Sequence, residues 1–459
     1  MAQNGSLLQL ISRGDLDKYL INDKTDIQES LFVKKIKKIT NFSDLIYSCN
    51  PINSGNWGDT IKFKIEKVGD LLTNLYFSFE LPEISVEDID GVTTSIQDTE
   101  YRIKWQEYIG NFVIENIKLS IGGQTIDEHT GEYMQFHTDL YDSTWSKLCM
   151  IGHESHIILP TTKIDKQVIY VPLKFFFCNN YSKSLPIYAL QHHDVFIEIK
   201  LRPWKDIYLV LKTVQDSISD TESRTSKLVF AHTNNTITEK NIKNIKLECN
   251  YILLDNNERK FFLSNPHEIL ITNVQKVEHS IINNQNINIP FNNCIKELYF
   301  TLQTNTNINQ GELFNYSGKP KYLPAGIDTI TETLWNQIPK KHLLKNATLF
   351  FDNLPRIPER DYKFWHFVQN YENYRCKLEH NIYLFNFGLD KNDNTGSCNL
   401  SEINDIILKI NFSQSSNEIY RRNGDTITIG PSNTNKIVIY GVTYNILKIK
   451  SGMAGLLFI

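Results

Sequence analysis

The sequence lacks several features that mark large classes of protein. Its 48 Lys and Arg residues balance 52 Asp and Glu residues, which leaves a net charge of −4. A dedicated nucleic-acid binder depends on clustered excess cations, so we expect no direct sequence-specific binding of nucleic acid. No uncharged apolar run approaches the ~18 residues that span a bilayer, and the first residues lack the basic start and apolar run of a signal peptide. We therefore expect a soluble intracellular chain.

Cysteine is scarce and irregularly placed. The seven cysteines are Cys49, Cys149, Cys178, Cys249, Cys294, Cys376 and Cys398. The number is odd and no C-x-x-C occurs, which argues against both a disulfide framework and a zinc knuckle. We expect seven free thiols, most of them buried, in a reducing compartment.

Recognisable catalytic and cofactor motifs are also missing. The chain contains no G-x-G-x-x-G, no G-x-x-x-x-G-K-[ST] and no G-x-S-x-G, the sequences of nucleotide-binding loops and nucleophile elbows. Three groups contain possible metal ligands: Asp127, His129 and His137; His153 and His156; and His192, His193 and Asp194. Metal-binding jelly rolls of the cupin type use His-x-His, which is absent here, so we interpret these as structural histidines. We expect no catalytic residue, no cofactor and no metal site.

The residues that are abundant favour strands and turns. Of the 459 residues 12% are aromatic, with 22 Tyr and 25 Phe, and Ile and Asn are common. Aromatic and β-branched side chains suit pleated strands, and Asn suits turns. An A·T-rich coding sequence would enrich the same residues, so composition favours an all-β protein without deciding it.

Local patterns support the all-β interpretation. The stretch TIKFKI at 60–65 alternates apolar and charged side chains, which predicts a half-buried strand. The Gly-Gly pair at 122–123 lies between two apolar stretches and predicts a hairpin turn. Residues 256–266 predict a short helix that ends at Pro266. Polar or loop-like composition predicts long loops at 213–240 and 301–340.

Several blocks in order along nearly the whole chain resemble one protein family. IENIKLSIGGQTIDEHTGEYM at 114–134 is similar to an I-G-G-Q-x-I-D-x-H block, and YNILKIKSGMAGLLF at 444–458 is similar to Y-N-V-L-R-I-M-S-G-M-G-G-L-x-F. Further similar blocks are SLFVKKIKKITNF, KVGDLLTNLYFSFELP and YILLDNNERKFFLSNPHEILITNVQ. Through these blocks the chain resembles the major capsid proteins of nucleocytoplasmic large DNA viruses, the phycodnavirus, iridovirus and mimivirus relatives.

The resemblance implies a fold and a domain organisation. The implied fold is all-β, with two tandem eight-stranded jelly-roll β-sandwiches (a double jelly roll) and short helices in loops. Strands that close near residue 254 and restart near residue 267 are in keeping with this. We expect an N-terminal arm at 1–26, a first jelly roll at 27–262 and a second at 263–459. The similar segments CNYILLD at 249–255 and TYNILKI at 443–449 hint at tandem duplication.

The resemblance also implies a function. The chain would be a structural subunit of an icosahedral viral capsid, and homotrimers of pseudo-hexagonal outline would tile the shell without catalysing a reaction. Its partners would be neighbouring capsomers, minor capsid and penton proteins, and an internal membrane on the inner face. The protein would assemble in the host cytoplasm and reside in the virion.

Two alternatives stay open at this point. Leu400 and Glu402 stand where the family often has Phe and Arg, so a minor capsid or scaffold paralogue is one alternative. The residues alone also leave room for a carbohydrate-binding or hydrolytic β-sandwich, because paired carboxylates for glycoside hydrolysis have no sequence motif.

Overall fold

Strands make up most of the regular structure. The computed structural model describes residues 39–90, 101–141, 144–154, 157, 159–215, 226–231, 236–281, 285–318, 320–322, 342–391, 394–413, 417–420, 426–429 and 435–458. The predicted arm at 1–26 lies outside these residues. None of the described helices is both long and apolar enough to cross a membrane.

Thirteen strands precede residue 255 among the described residues. They are β1 Phe42–Cys49, β2 Thr60–Ile65, β3 Leu71–Leu81, β4 Ile84–Ser85, β5 Tyr101–Trp105, β6 Ile114–Ile121, β7 Gln124–His129, β8 Lys163–Ile164, β9 Gln167–Pro172, β10 Val195–Leu201, β11 Tyr208–Gln215, β12 Ser226–Phe230 and β13 Lys243–Leu254. Eight of them form two four-stranded sheets, in the orders β1-β13-β3-β9 and β2-β10-β6-β7. We call these two sheets the first sandwich.

The remaining described strands follow residue 266. They are β14 His267–Ile281, β15 Gln285–Asn288, β16 Cys294–Thr304, β17 Leu344–Phe351, β18 Leu354–Asp361, β19 Ile382–Asn386, β20 Cys398–Asn399, β21 Ile406–Phe412, β22 Asn417–Tyr420, β23 Thr426–Ile429, β24 Asn435–Lys450 and β25 Met453–Leu456. Two sheets of four main strands, β14-β24-β16-β19 and β15-β21-β17-β18, form the second sandwich. The short strands β20 and β25 extend the first of these sheets.

The two sandwiches have the same topology. If the eight main strands of each sandwich are numbered along the chain, both have one sheet in the order 1-8-3-6 and the other in the order 2-7-4-5. This confirms the predicted pair of eight-stranded jelly rolls. The two similar segments at 249–255 and 443–449 both overlap the eighth strand of their sandwich, β13 and β24.

Alternating side chains explain how the sheets pack. In β2 the side chains of Ile61, Phe63 and Ile65 are fully buried while the lysines between them point outward. The ring of Phe63 meets that of Phe77 on the facing sheet at 6.2 Å between centroids, near perpendicular. Period-two burial of this kind places one face of each sheet in the sandwich core.

Short helices occupy the connections. They are α1 Ile109–Val113, α2 Gly131–Tyr141, α3 Trp145–Met150, α4 Asn256–Ser264 and α5 Asn305–Asn309, with π-helical turns at Phe364–Val368 and Asn370–Tyr374. The segment 256–266 therefore contains the predicted short helix, α4. The Gly-Gly pair at 122–123 forms the predicted hairpin turn between β6 and β7, and both glycines have positive φ, 58° and 85°.

Two loop predictions are wrong in part. Within 213–240, residues 226–230 form β12, which pairs antiparallel with β11. Within 301–340, the first residues complete β16 and continue into α5. Backbone hydrogen bonds are available to polar sequences as well as to apolar ones, so a polar composition does not exclude a strand. Residues 216–225 and 323–341 lie outside the described part of the chain.

Candidate functional site

Helix α2 is largely buried, although it carries several polar side chains. Nine of its eleven residues are buried, including the polar Glu132, Gln135 and Asp139. The first residue of the helix, Gly131, has to be glycine, because a Cβ there would lie 2.0 Å from the carbonyl oxygen of Asn111. Asn111 also donates a hydrogen bond to the Gln135 amide oxygen at 2.9 Å. These contacts fix α2 against α1, which leads directly into β6 of the first sandwich.

Polar side chains of α2 also reach the second sandwich. The hydroxyl of Tyr440 in β24 donates to Glu132 Oε2 at 3.0 Å. His380, just before β19, places Nδ1 2.6 Å from Asp139 Oδ2. Arg202 of the first sandwich approaches the same Glu132 carboxylate at 3.6 Å. Since buried polar groups are costly unless they are paired, these pairs specify where the second sandwich meets α2.

Where α2 packs against it, the sheet β14-β24-β16-β19 is buried on both faces. Ile439 and Phe300 belong to the core of the second sandwich. Their sequence neighbours Tyr440 and Tyr299 point the other way, into the hydrophobic cluster that contains the first-sandwich core. Tyr133 of α2 lies over Tyr440, with ring centroids 5.8 Å apart. We call this side of the sheet its outer face.

A cavity of about 440 Å³ lies in the same layer, between α2 and the outer face. Five lysines and two carboxylates line it: Lys147, Lys174, Lys183, Lys296, Lys391, Asp127 and Glu297. The Lys296 amine pairs with Glu297 at 3.0 Å, and Lys391 donates to the carbonyl oxygen of Tyr374 at 3.1 Å. We call this space the lysine cavity.

Burial perturbs the acid–base properties of the cavity wall. Burial lowers the pKa of the Lys174 amine to about 7, and the nearby charge of Lys147 adds to the effect. Burial also holds the pKa of His137 well below its usual range, and it raises that of Tyr141 well above 10, with help from Glu297. His137 and Tyr141 are therefore neutral at pH 7.

The first histidine group predicted from sequence is part of this buried layer. His129 Nδ1 lies 3.3 Å from Asp127 Oδ2, and the other Asp127 oxygen accepts a hydrogen bond from the amide of Val274 at 3.0 Å. His137 stacks on Tyr141 with ring centroids 4.5 Å apart. The structure thus brings the three residues into one region, where Asp127 joins β7 to β14.

The other two histidine groups have packing contacts. His153 stacks on Tyr108 at 4.3 Å, while His156 lies outside the described residues. His193 Nδ1 lies 3.1 Å from the carbonyl oxygen of Ala454 in β25, and Asp194 accepts a hydrogen bond from a lysine amine. Across the described ranges, no group of three or more His, Cys, Asp or Glu is placed to hold a metal ion.

Exposed apolar side chains mark two further surfaces. On the π-helical turns Phe367, Val368 and Tyr371 are exposed, Tyr371 by 78%. We call these three residues the π-turn patch. Large exposed apolar patches on a folded protein mark interaction surfaces.

The second surface is on the first sandwich. Ile46 of β1 and Val168 and Tyr170 of β9 are exposed on the sheet β1-β13-β3-β9. On the same two strands Cys49, Ile169 and Val171 are buried and face the core, so the exposed side chains lie on the opposite face of the sheet. This outer face is the counterpart, in the first sandwich, of the outer face that α2 covers in the second.

Sequence patterns did not reveal α2, the lysine cavity or either surface. Buried polar residues in α2 obscure the apolar stripe by which a helix is recognised, and the lysines that meet at the cavity lie far apart in sequence. The stretch TGEYMQFHTDLY does offer one signal, a Thr before the helix, where its hydroxyl accepts a hydrogen bond from the amide of Tyr133 at 3.4 Å.

Comparisons with known proteins agree with the topology. Residues 30–255 match the family model of the major capsid protein N-terminus, and residues 258–455 match that of the large eukaryotic DNA virus major capsid protein. Over 99% of both chains the sequence is 24% identical to probable capsid protein 4 of Acanthamoeba polyphaga mimivirus. It is also 24% identical, over 99% of both chains, to the major capsid protein of Paramecium bursaria Chlorella virus 1.

Solved structures show the same fold. A chain of the PBCV-1 virus capsid quasi-atomic model aligns with a TM-score of 0.73 and 22% identity over 94% of this chain and 100% of that one. The Faustovirus major capsid protein aligns with a TM-score of 0.70 and 12% identity, covering 96% of this chain and 95% of that one.

Proposed function

Since the chain belongs to the family of large eukaryotic DNA virus major capsid proteins, we propose that three copies form a capsomer of pseudo-hexagonal outline. As a member of this family the chain is a structural subunit of a viral capsid. The observation that carries the proposal is the identical strand order of the two sandwiches. Three chains with two similar sandwiches each supply six similar units around a threefold axis, and a closed ring buries its interfaces without forming a filament.

We further propose that the contact within one chain is repeated between chains. Helix α2 follows the fifth strand of the first sandwich, β7, and covers the outer face of the second sandwich. The π-helical turns follow the fifth strand of the second sandwich, β18. If the π-helical turns pack as α2 does, they would cover the outer face of the first sandwich in a neighbouring copy of the chain.

The exposed side chains suit this arrangement. The π-turn patch offers Phe367 and Tyr371, which are 52% and 78% exposed. The first-sandwich outer face offers Ile46, Val168 and Tyr170, which are 65%, 54% and 44% exposed. Burying both surfaces against each other would remove apolar area from water on each side. A permanent interface of this kind buries at least ~2,000 Å² in total.

The experiment is a mass measurement at micromolar concentration on the wild-type chain and two variants. We expect the wild type to have three times the 53.4 kDa chain mass and a hexagonal outline in negative stain. The double variant Phe367→Ser and Tyr371→Ser should be monomeric, because it removes the apolar contact without touching a core. Leu389→Ser is the matched control, since Leu389 is 86% exposed and outside the π-turn patch, and it should stay trimeric.

The outcomes separate the two parts of the proposal. A strictly monomeric wild type would overturn the trimer. A double variant that remains trimeric would overturn the assigned interface. The reciprocal change Tyr170→Ser, on the opposite surface, should weaken the trimer as well if the two surfaces meet.

Finer features of the assembly are also proposed. We propose jelly-roll domains at 27–262 and 263–459, with α4 near their junction, and an arm at 1–26 that faces the shell interior and the internal membrane. Deleting 1–26 should leave trimers intact but impair particle assembly, and loss of folding would contradict this. Minor capsid and penton proteins would be further partners, assembly would occur in the host cytoplasm, and the protein would act by self-association without catalysis.

A further inference from the structure

Lys174 is a buried lysine between strand β9 and the 3₁₀ turn Phe176–Cys178. It is only 8% exposed, and it lines the lysine cavity. Among the described residues its amine has no ion-pair partner and no hydrogen-bond partner. A buried ammonium group without a partner is costly, so the surroundings of Lys174 favour the uncharged amine.

A neighbouring charge acts in the same direction as burial. Burial lowers the pKa of the Lys174 amine to about 7, and the positive charge of Lys147 adds to the effect. At pH 7 about half of the Lys174 amines are therefore uncharged, compared with about one in 2,500 for an exposed lysine of ordinary pKa. The uncharged amine carries the electron pair that makes lysine a nucleophile, and desolvation beside another cation is an arrangement that activates it.

The thiol in the cavity wall does not compete with this amine. Cys178 lines the same cavity, but burial raises the pKa of its thiol to about 12. Because the thiolate rather than the thiol is the reactive form, Cys178 is almost entirely unreactive at pH 7. The amine of Lys174 is therefore better suited than this thiol to attack an electrophile that enters the cavity.

The cavity suits a small uncharged ligand. Its wall includes Asn179 and Asn180, which are exposed, so the cavity opens to solvent on that side. Its volume of about 440 Å³ lies within the roughly 300–1,000 Å³ typical of small-molecule sites. The rings of Tyr133 and Phe176 line it and favour an aromatic ligand. Because lysines and the carboxylate of Glu297 line it together, an uncharged ligand is repelled by neither.

We propose that Lys174 is a covalent attachment site for a small uncharged aldehyde. The electron pair of the uncharged amine attacks the carbonyl carbon and forms a carbon–nitrogen bond. The two amine protons leave with the carbonyl oxygen as water, and a Schiff base remains, so the step requires no oxidant and no reductant. Among the described residues, the cavity wall shares none with the π-turn patch or with Ile46, Val168 and Tyr170 of the first-sandwich outer face. Attachment at Lys174 therefore does not require trimer formation.

The test uses benzaldehyde as the probe, the full chain in its native assembly, and cyanoborohydride to reduce each Schiff base to a stable amine. Peptide mass mapping at pH 7 should show Lys174 labelled at least about tenfold faster than Lys260, which is exposed on α4. Mapping also separates Lys174 from the α-amino group, which is partly uncharged at pH 7 as well. In the urea-unfolded chain the preference for Lys174 should disappear, because it depends on burial.

Three variants complete the test, and far-UV circular dichroism should confirm that each is folded. Lys174→Met should lose the fast-labelling site, and Lys260→Met is the matched control that should keep it. Lys147→Met should slow the labelling of Lys174 at pH 7, because loss of the neighbouring charge raises the pKa of the Lys174 amine; an unchanged rate would refute the part assigned to Lys147. Labelling of Lys174 in the folded chain no faster than that of Lys260, or a fast site that persists in Lys174→Met at the same peptide, would overturn the proposal.

Discussion

Replacing Gly131 by Ala should break the junction at which α2 begins. A Cβ at this position would lie 2.0 Å from the carbonyl oxygen of Asn111 and 2.3 Å from that of Ile114. Real Cβ contacts essentially never fall below 3.0 Å, so both oxygens would have to move by about an ångström. They belong to the backbone of α1 and the start of β6, which cannot rotate away as a side chain can.

The expected cost follows from this crowding. Overpacking a well-packed site costs typically ~1–3 kcal/mol and occasionally more, and two backbone clashes place this variant at about 3 kcal/mol or above. For a cooperative unit of roughly 200 residues this corresponds to a fall in Tm of roughly 6–12 °C. Differential scanning calorimetry at fixed protein concentration measures it, since self-association would otherwise shift Tm.

Gly455→Ala is the matched control for this prediction. Its added Cβ would meet only a flexible side-chain oxygen, that of Gln124, at 3.3 Å. We expect its Tm to stay within about 2 °C of the wild type, because the single contact is with the end of a side chain that can move by a few tenths of an ångström. A Gly131→Ala protein as stable as the wild type, or a control that loses as much, would refute the assigned role of the α1–α2 contact.

Two other predictions concern pH and redox state. Burial alone would raise the pKa of Glu107, but Lys321 and Lys104 outweigh it and lower the pKa to about 2. The Glu107 carboxylate therefore contributes its full stabilisation of the fold above pH 4.5, and this contribution is lost as the pH falls towards 2. In urea unfolding, the free energy of unfolding of Glu107→Gln should lie well below that of the wild type at pH 7, and the difference should shrink at pH 3. An equal difference at both pH values would count against this assignment. The Sγ atoms of Cys49 and Cys249 lie 3.7 Å apart, yet all seven thiols are free. Alkylation under denaturing, non-reducing conditions should therefore modify all seven cysteines. A protein mass that is two modifications short would reveal a disulfide bridge.

The strands of both sandwiches were predictable where one side of a strand is apolar and the other is charged. The stretch at 60–65 is an example, since its three apolar side chains point into one core. The Gly-Gly turn at 122–123 was predictable because its positive φ values suit glycine. In each case the residues that decide the structure lie within a few positions of one another, so a local pattern carries the information.

Helix α2 and the lysine cavity were not predictable for the opposite reason. Glu132 and Asp139 are tolerated inside the protein in part because Tyr440 and His380 pair with them, and these two partners lie more than two hundred positions away in sequence. Lys174 reads in sequence as an ordinary surface lysine. Its burial depends on how two sandwiches meet, which no local pattern records.

The adjacency of the first and last strands in each sandwich has a consequence for how the chain is made. Cys49 in β1 and Cys249 in β13 are neighbours in space but 200 residues apart in sequence. At roughly 5–20 residues per second, a ribosome would take about 10–40 s between them, and β1 would wait unpaired for that time. Helix α2 would wait longer still, until His380 and Tyr440 emerge to pair with its acids. The late closure of such long-range contacts makes slow folding inherent in this topology.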